Sequence, residues 1–480
     1  MRDCTTKQLD CNAIIRYNNL GLYHGYCFFE YFILRFPMMR KEIRVLKREE
    51  KRKKKKLFDA IGICCAVLIV AACILGVVFA PKPRPGMVMP VSDMEHTGKA
   101  VANKVQTMSG VTLLHAADWA EEYPEIYASW QKTQENDEIE DYLQSYPQLV
   151  TLYEPYGFSK SYGSARGHFY DVDDILETGR PHKLAQCWTC KTPDFTHYVN
   201  EHGPEAYQME FDKMGEMITE GVSCYTCHAN TPGEITVTHT YVMDALGEDW
   251  DQVSAADLAC GQCHVEYYFY PGTGVTSLPR FDLESMSPDA ILNYYNNVLL
   301  DENGLGFADY VNPRTGVRQI KVHHPEFETY LGDGTIHGGT YTCADCHMGM
   351  VAGEKGDVYP SHYLVSPLEN PRLINAECSK CHEDLISEVH AIQEEIDTRT
   401  TDISDQLVEL TETLALAVES GKYTEAKLDS VRALARDAQF YWDFVFVENS
   451  EGAHNPDLTR NCLDKAEALT QEALGLLKTA

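Results

Sequence analysis

Cys187-Trp-Thr-Cys190-Lys191 is the segment that decides the fold of this 480-residue chain, because its Cys-x-x-Cys spacing recurs four times downstream. In each repeat a histidine follows the second cysteine, where Lys191 stands in the first motif. The repeats are Cys224-Tyr-Thr-Cys227-His228, Cys260-Gly-Gln-Cys263-His264, Cys343-Ala-Asp-Cys346-His347 and Cys378-Ser-Lys-Cys381-His382. Two thiols at this spacing can form thioethers to one porphyrin and carry the next residue under the iron. The spacing predicts five covalently bound haem c groups, one with a lysine ligand.

Paired cysteines have two other interpretations. They could belong to a zinc-binding module, but the second halves that such sites need are missing here. Cys187 and Cys190 alone could also be a decayed motif without haem. The histidine-containing repeats on the C-terminal side favour haem at all five positions.

The segments between the motifs predict a mainly α fold. The motifs occupy residues 187–382, about forty residues per porphyrin, and few segments show the alternation of a strand. We therefore expect a multihaem cytochrome with little sheet and a core built from porphyrin faces.

Long amphipathic helices are expected beyond about residue 383. Gly421 should end the first, a second follows, and Leu463 to Leu477 belong to a third. These stripes could face the core or form a dimer surface. The apolar positions of the first helix are Ile396, Ile403, Leu407, Leu410, Leu414 and Ala417, and those of the second are Leu428, Val431, Ala435, Ala438 and Trp442.

The N-terminal region predicts a membrane anchor. Residues 1–56 form a basic segment with a basic run from Arg40 to Lys56, and Ala60 to Ala80 are 21 residues without a charge. A helix of that length crosses a bilayer with its basic flank in the cytoplasm. We expect a single-pass anchor in the cytoplasmic membrane at 57–80, a proline-rich linker at 81–95, and a pentahaem domain at 96–480 on the periplasmic or extracellular side.

Three alternatives remain for this region. The apolar run could be a cleaved signal peptide, or Val70 to Cys73 could be a lipoprotein cleavage box. Residues 1–38 could also be a wrongly assigned start, with Met39 opening the protein.

The charge distribution excludes nucleic acid as a partner. The chain carries a net charge of -31, and residues 1–80 hold 15 of its 41 Lys and Arg but 7 of its 72 Asp and Glu. The rest of the chain is therefore more acidic than the whole, which opposes binding to phosphate backbones.

Three segments resemble the signatures of the pentahaem cytochrome c nitrite reductases, which reduce nitrite to ammonium. They are the Cys187 to Lys191 motif, Cys260-Gly-Gln-Cys-His-Val-Glu-Tyr-Tyr-Phe269 and His324-Pro-Glu-Phe-Glu328. The resemblance extends from about Tyr156 to the C-terminus. It implies that Lys191 ligates one iron and leaves the opposite position for substrate, with Arg166, Tyr267 and His324 beside it.

The same resemblance implies four distal haem ligands, without saying which serves which haem: His168, His337, His362 and His454. Other histidines match no family position, and we expect them on the surface or in loops: His96, His115, His182, His197, His202, His239 and His390.

A calcium site near the active haem is also implied, and Glu266, Tyr267 and Lys321 match three of its ligands. His323 stands where glutamine is usual, and imidazole is a poor ligand for a hard cation. The alternatives are calcium, water, or a basic side chain in place of the ion.

The resemblance further implies nitrite as substrate, hydroxylamine and sulfite as alternatives, a quinol-oxidising membrane cytochrome as electron donor, and a homodimer. The competing hypothesis is a multihaem electron-transfer cytochrome without its own substrate site.

Overall fold

A computed structural model describes residues 112–478, except 240, 281 and 354–355. The predicted anchor at 57–80, the linker at 81–95 and the basic segment 1–56 lie outside the described residues. Within the described range, no helix combines the length and apolar character needed to cross a bilayer.

The prediction of a mainly helical fold with little sheet is confirmed. Helices α1 to α16 are, in chain order, Pro124–Gln131, Tyr142–Ser145, Leu149–Leu152, Asp171–Glu177, Pro193–His202, Phe211–Gly215, Cys224–His228, Tyr241–Leu246, Ala255–Gly261, Pro288–Asn293, Glu326–Leu331, Cys343–His347, Pro371–Ala376, Leu385–Ser420, Glu425–Phe446 and Pro456–Lys478. Short 3₁₀ turns join many of them, among them Ala185–Trp188, His168–Tyr170 and Cys378–Lys380.

The strands form three separate antiparallel pairs. They are β1 (Tyr268–Phe269) with β2 (Thr276–Ser277), β3 (Tyr310–Val311) with β4 (Arg318–Gln319), and β5 (Met350–Ala352) with β6 (Val358–Pro360). Two or three residues per strand make hairpin stems rather than a layer of sheet.

The three long helices α14, α15 and α16 pack on one another, and the apolar stripes predicted from the sequence are buried. The Asp384 carboxylate caps the start of α14 by accepting the N–H of Ser387. Gly421 ends the helix with a φ of 62°, a left-handed conformation that glycine adopts without strain. The indole N–H of Trp442 in α15 donates to the carbonyl of Thr400 in α14 at 2.9 Å.

Helix α15 also positions the segment that leads to His324. Asp443 of α15 accepts hydrogen bonds from the amine of Lys321 and from the backbone N–H of Val322 at 2.9 Å, and the hydroxyl of Tyr153 donates to it as well. Tyr153, Val322 and Trp442 belong to the largest apolar cluster, which joins the long helices to the middle of the chain. These contacts therefore fasten the segment that leads to His324 to the long helices.

Candidate haem and active site

The five cysteine pairs lie on single helical turns. The second and fourth motifs form α7 and α12, and the third spans the end of α9. The first and fifth motifs begin on the 3₁₀ turns Ala185–Trp188 and Cys378–Lys380, and their second cysteines follow just after these turns. A helical turn brings positions i and i+3 to the same face, as a porphyrin with two thioethers requires. None of the ten motif cysteines forms a disulfide, and Cys381 is the exposed one among them.

Each motif histidine faces one of the four predicted distal histidines. The ring centroids of His168 and His264 are 6.2 Å apart. The other pairs are His228 with His362 at 6.3 Å, His337 with His382 at 6.1 Å and His347 with His454 at 6.1 Å. An iron bound at about 2 Å by one nitrogen of each ring requires ring centres roughly 6 Å apart. The side chains therefore fit four bis-histidine haems and indicate which histidines would share each iron.

The ring nitrogens that would point away from iron have two kinds of acceptor. His228, His347 and His362 place Nδ1 on the carbonyls of Glu234, Val365 and Pro360 at 2.8 to 3.0 Å. His382 and His454 instead place Nδ1 on the carboxylates of Glu388 and Glu448, at 2.6 and 2.7 Å. Such partners fix the ring orientation and raise the basicity of a metal ligand.

Two carboxylates of helix α4 contact the two cationic residues predicted for the active site. The amine of Lys191 lies 3.3 Å from Asp171, and the guanidinium of Arg166 donates from Nε and Nη2 to Asp174 at 2.8 and 2.5 Å. Burial lowers the pKa of Lys191, but Asp171 and Cys190 outweigh it and leave that pKa above its usual value. Arg166 also stacks on Tyr170, with 4.1 Å from Cζ to the ring centroid.

The other two predicted catalytic residues lie around His323. The ring of Tyr267 stacks on His323 at 4.1 Å, and the next residue, His324, lies 6.0 Å from His264 between ring centroids. Burial raises the pKa of Tyr267 well above its usual value, so its hydroxyl stays protonated. The rings of His168 and His324 thus both lie within 6.2 Å of the His264 ring between centroids, which brings the α4 side of the site near the His324 side.

Glu326 is a site residue for which the sequence suggested no role. Its Oε2 lies 3.7 Å from Nδ1 of His264, and its Oε1 lies 3.9 Å from Nδ1 of His324. Burial raises the pKa of Glu326, but the two imidazoles outweigh it and hold the pKa below its usual range. A carboxylate two residues after a candidate catalytic histidine is the signal that could have drawn attention to it.

Glu266 and His323, two of the residues expected at a calcium site, belong to a buried polar network. The buried Glu266 carboxylate accepts the N–H of His323 at 2.6 Å and the hydroxyl of Tyr295 at 2.8 Å. Burial raises the pKa of Glu266 to about 8. The fully buried Arg280 forms an ion pair with Glu328, whose carboxylate also accepts the N–H of Glu266. Two carboxylates and one guanidinium thus lie together.

His239 lies in a loop, which is one of the two expected positions, but it is not on the surface, because only 6% of the residue is exposed. Its Nε2 lies 2.7 Å from the carbonyl of Thr189 in the first motif, and its Nδ1 lies 3.2 Å from Oε1 of Gln262 in the third. The amide of Gln262 also donates to the carbonyl of Thr226 in the second motif at 2.9 Å. The residues between the cysteines therefore connect three attachment sites directly.

Comparison with known proteins gives consistent results. Residues 115–480 match the family model of cytochrome c552. The cytochrome c nitrite reductase subunit NrfA of Nitratidesulfovibrio vulgaris is 32% identical over 412 residues, covering 75% of this chain and 77% of that protein. Cytochrome c-552 of Aliarcobacter butzleri is 31% identical over 372 residues, covering 72% of each.

A solved structure has a similar fold. It is NrfA, the catalytic subunit of the cytochrome c nitrite reductase from Desulfovibrio desulfuricans, described as having two calcium sites. It superposes with a TM-score of 0.68 at 28% identity, covering 78% of this chain and 88% of that chain.

Proposed function

This chain belongs to the cytochrome c552 family, and on that premise we propose that it is an ammonia-forming cytochrome c nitrite reductase. The observation that carries the proposal is the difference between the five motifs. Four motif histidines each face a second histidine, which would close those irons, while the first motif supplies Lys191 instead of a histidine. Four haems would relay electrons, and the haem at Cys187 and Cys190 would hold the substrate.

When bound, the haem at Cys187 and Cys190 supplies an iron that can take the nitrogen of nitrite and pass electrons to it. Lys191 would hold that iron from one side, and it must be neutral to do so. Asp171, 3.3 Å from the amine, would hold the side chain of Lys191 in position beside that iron.

Arg166 would bind the anion. Asp174 engages Nε and Nη2 of its guanidinium, which fixes the plane of the group and leaves Nη1 for a nitrite oxygen. A fixed cation at this place stabilises negative charge that moves onto oxygen as the N–O bonds break.

His324 and Tyr267 would supply protons. Reduction of one nitrite to ammonium and two waters consumes six electrons and eight protons, so repeated proton delivery is needed. The hydroxyl of Tyr267 stays protonated because burial raises its pKa, so it donates hydrogen bonds to the anion. The imidazole of His324 can both donate a proton and accept another, which repeated delivery requires.

Calcium does not fit the place where the family resemblance expects it. His323 packs its ring on Tyr267 rather than offering an oxygen, and both Glu266 oxygens already accept hydrogen bonds. Arg280 brings a fixed positive charge to the same carboxylates. We therefore assign the role of the ion to this network, and no step of the reaction passes through calcium.

The pentahaem body would work on the periplasmic side of the cytoplasmic membrane, held by the anchor at 57–80 and supplied by a quinol-oxidising cytochrome. A homodimer is part of the same proposal. Alkaline extraction of membranes tests the anchor, because an anchored chain stays in the pellet. Light scattering of the detergent-purified protein tests the dimer.

The decisive test uses the purified, haem-loaded full chain with a reduced dye as donor. The enzyme should form one ammonium per nitrite at six electrons and show a high-spin ferric signal. Low-spin signals alone, with no ammonium, would instead identify an electron-transfer cytochrome.

A further inference from the structure

Glu326 opens α11 and lies between two imidazoles of different kinds. Its side chain is 9% exposed, and each carboxylate oxygen faces a different ring. Oε2 is directed at His264, which follows the third cysteine pair, and Oε1 at His324, the proposed proton donor. At 3.7 and 3.9 Å these are close approaches rather than hydrogen bonds, and a small rotation of either ring would close them.

The carboxylate is held in place from the opposite side. Asn449, which follows α15, donates to Oε1 from its backbone N–H at 3.2 Å and from Nδ2 at 2.6 Å. By contrast, Oε2 of Glu326 and Nδ1 of His324 are buried without a hydrogen-bond partner. Leaving buried polar atoms unpaired is costly, so a fixed carboxylate next to an unpaired imidazole nitrogen indicates a contact that forms in the working enzyme.

We propose that Glu326 is a positioning residue that serves the proton donor His324 and the haem ligand His264 through one carboxylate. The inference rests on the proposed nitrite reductase function and adds a residue to it. Glu326 couples the site that delivers protons to the haem that delivers electrons.

On the His324 side, a carboxylate that accepts Nδ1–H fixes the tautomer and directs Nε2 towards the substrate. On the His264 side, the same acceptor makes the imidazole a stronger donor, which stabilises the oxidised iron and lowers its reduction potential. Two other glutamates contact a single proposed haem ligand each, Glu448 at His454 and Glu388 at His382. They are therefore placed to influence a haem potential but not a proton donor. Of these three glutamates, Glu326 is the one that reaches two rings.

The test is Glu326→Gln in the haem-loaded full chain, because glutamine keeps the shape and the bonds from Asn449 while removing the negative charge. We expect kcat for nitrite to fall about 10-fold to 100-fold, with KM nearly unchanged because Arg166 still binds the anion. A redox titration followed by EPR should show one low-spin haem shifted upward, by about 59 mV for a tenfold change in its redox equilibrium.

Two variants serve as controls. Glu395→Gln removes a carboxylate that pairs with Arg460 on the C-terminal helices, and it should change neither kcat nor any potential. Glu448→Gln should shift the potential of a different low-spin haem, which shows that the titration resolves such changes.

The outcomes separate the two proposals. A wild-type protein that makes no ammonium refutes the proposed function, whatever the potentials show. If the wild type is active, three results for Glu326→Gln overturn the shared role of Glu326. They are a loss of turnover alone, a shift of one haem potential alone, and no change in either. Loss of kcat together with one upward shift supports it.

Discussion

The amine of Lys321 lies 3.1 Å from the Asp443 carboxylate, and neither side chain exposes more than 1% of its surface. This ion pair fastens the segment before His323 and His324 to α15. Three aromatic rings, Tyr153, Phe158 and Tyr162, surround the ammonium within 5.7 Å. The position of His324, the proposed proton donor, therefore depends on a pair of charges inside the apolar core.

Replacing Asp443 with alanine should destabilise the protein strongly, because it leaves a charged lysine buried without its partner. We expect a loss of about 3 to 5 kcal/mol, measured by denaturant unfolding followed by circular dichroism. Glu395→Ala, which breaks an exposed pair with Arg460, should cost at most about 1 kcal/mol. Equal losses in the two variants would show that Lys321 does not depend on Asp443.

Replacing Arg166 with alanine should lower kcat/KM for nitrite about 10²-fold to 10³-fold, because the anion loses its fixed donor. Hydroxylamine, which is neutral above pH 7, should be affected much less. The haem absorption spectrum should stay the same, and Arg460→Ala provides the control for loss of an arginine. Unchanged nitrite turnover would remove Arg166 from the site.

Replacing His362 with alanine should open one relay haem. Its ring lies 6.3 Å from that of His228, so the iron they share would lose its second imidazole. EPR of the oxidised variant should show one low-spin signal converted to high spin. His390→Ala, on the exposed face of α14, should leave every signal in place. A spectrum unaltered by His362→Ala would contradict the pairing.

Chelation should have no effect on this enzyme. Prolonged treatment with EDTA, or addition of Ca²⁺, should leave both the thermal midpoint and nitrite turnover unchanged, because the Arg280 network holds the carboxylates together. Arg280→Met should lower stability by about 3 to 5 kcal/mol, since Glu328 then remains buried without its cation. Loss of activity on chelation, restored by Ca²⁺, would disprove the assignment.

The buried carboxyl of Asp309 should make the stability of the protein depend on pH. Burial raises its pKa to about 7 against the hydrogen bond from the backbone of Lys321. A carboxyl with a raised folded-state pKa contributes stability that is complete below its unfolded pKa of about 4 and is lost as the pH rises towards 7. Asp309→Asn should therefore stabilise the protein at pH 8 by about 1 to 3 kcal/mol and have little effect at pH 4. Thermal midpoints across this range measure the difference, and parallel profiles would refute it.

The sequence predicted the parts of the fold that local patterns encode. Ile396 to Ala417 follow a helical period, and all six apolar positions of that stripe are buried in α14. Gly421 ends the helix as expected. The cysteine motifs predict haem attachment from the sequence alone, because two thiols three residues apart lie on the same side of one helical turn.

The sequence did not reveal relationships between distant segments. Nothing in the spacing of His168 and His264 indicates that they face each other, since the path of the 95 residues between them, with helices α4 to α9, decides it. The buried position of His239 was missed for the same reason, because its partners Thr189 and Gln262 come from two other motifs. Glu326 is part of the His324 to Glu328 motif, yet one of its two partners, His264, lies more than sixty residues earlier in the chain.

The amide of Gln262 has a consequence for electron flow. Since electron transfer slows steeply with distance, a relay needs its centres at constant separation while substrates and protons come and go. A set of hydrogen bonds connects three neighbouring haem attachment sites through Gln262, His239 and the carbonyls of Thr189 and Thr226. Gln262, Thr189 and Thr226 lie between the two cysteines of their motifs, where thioether formation does not specify the residue. The polypeptide itself therefore sets the distances between the haems. A substitution between two cysteines of a motif should then slow electron transfer without changing any iron ligand.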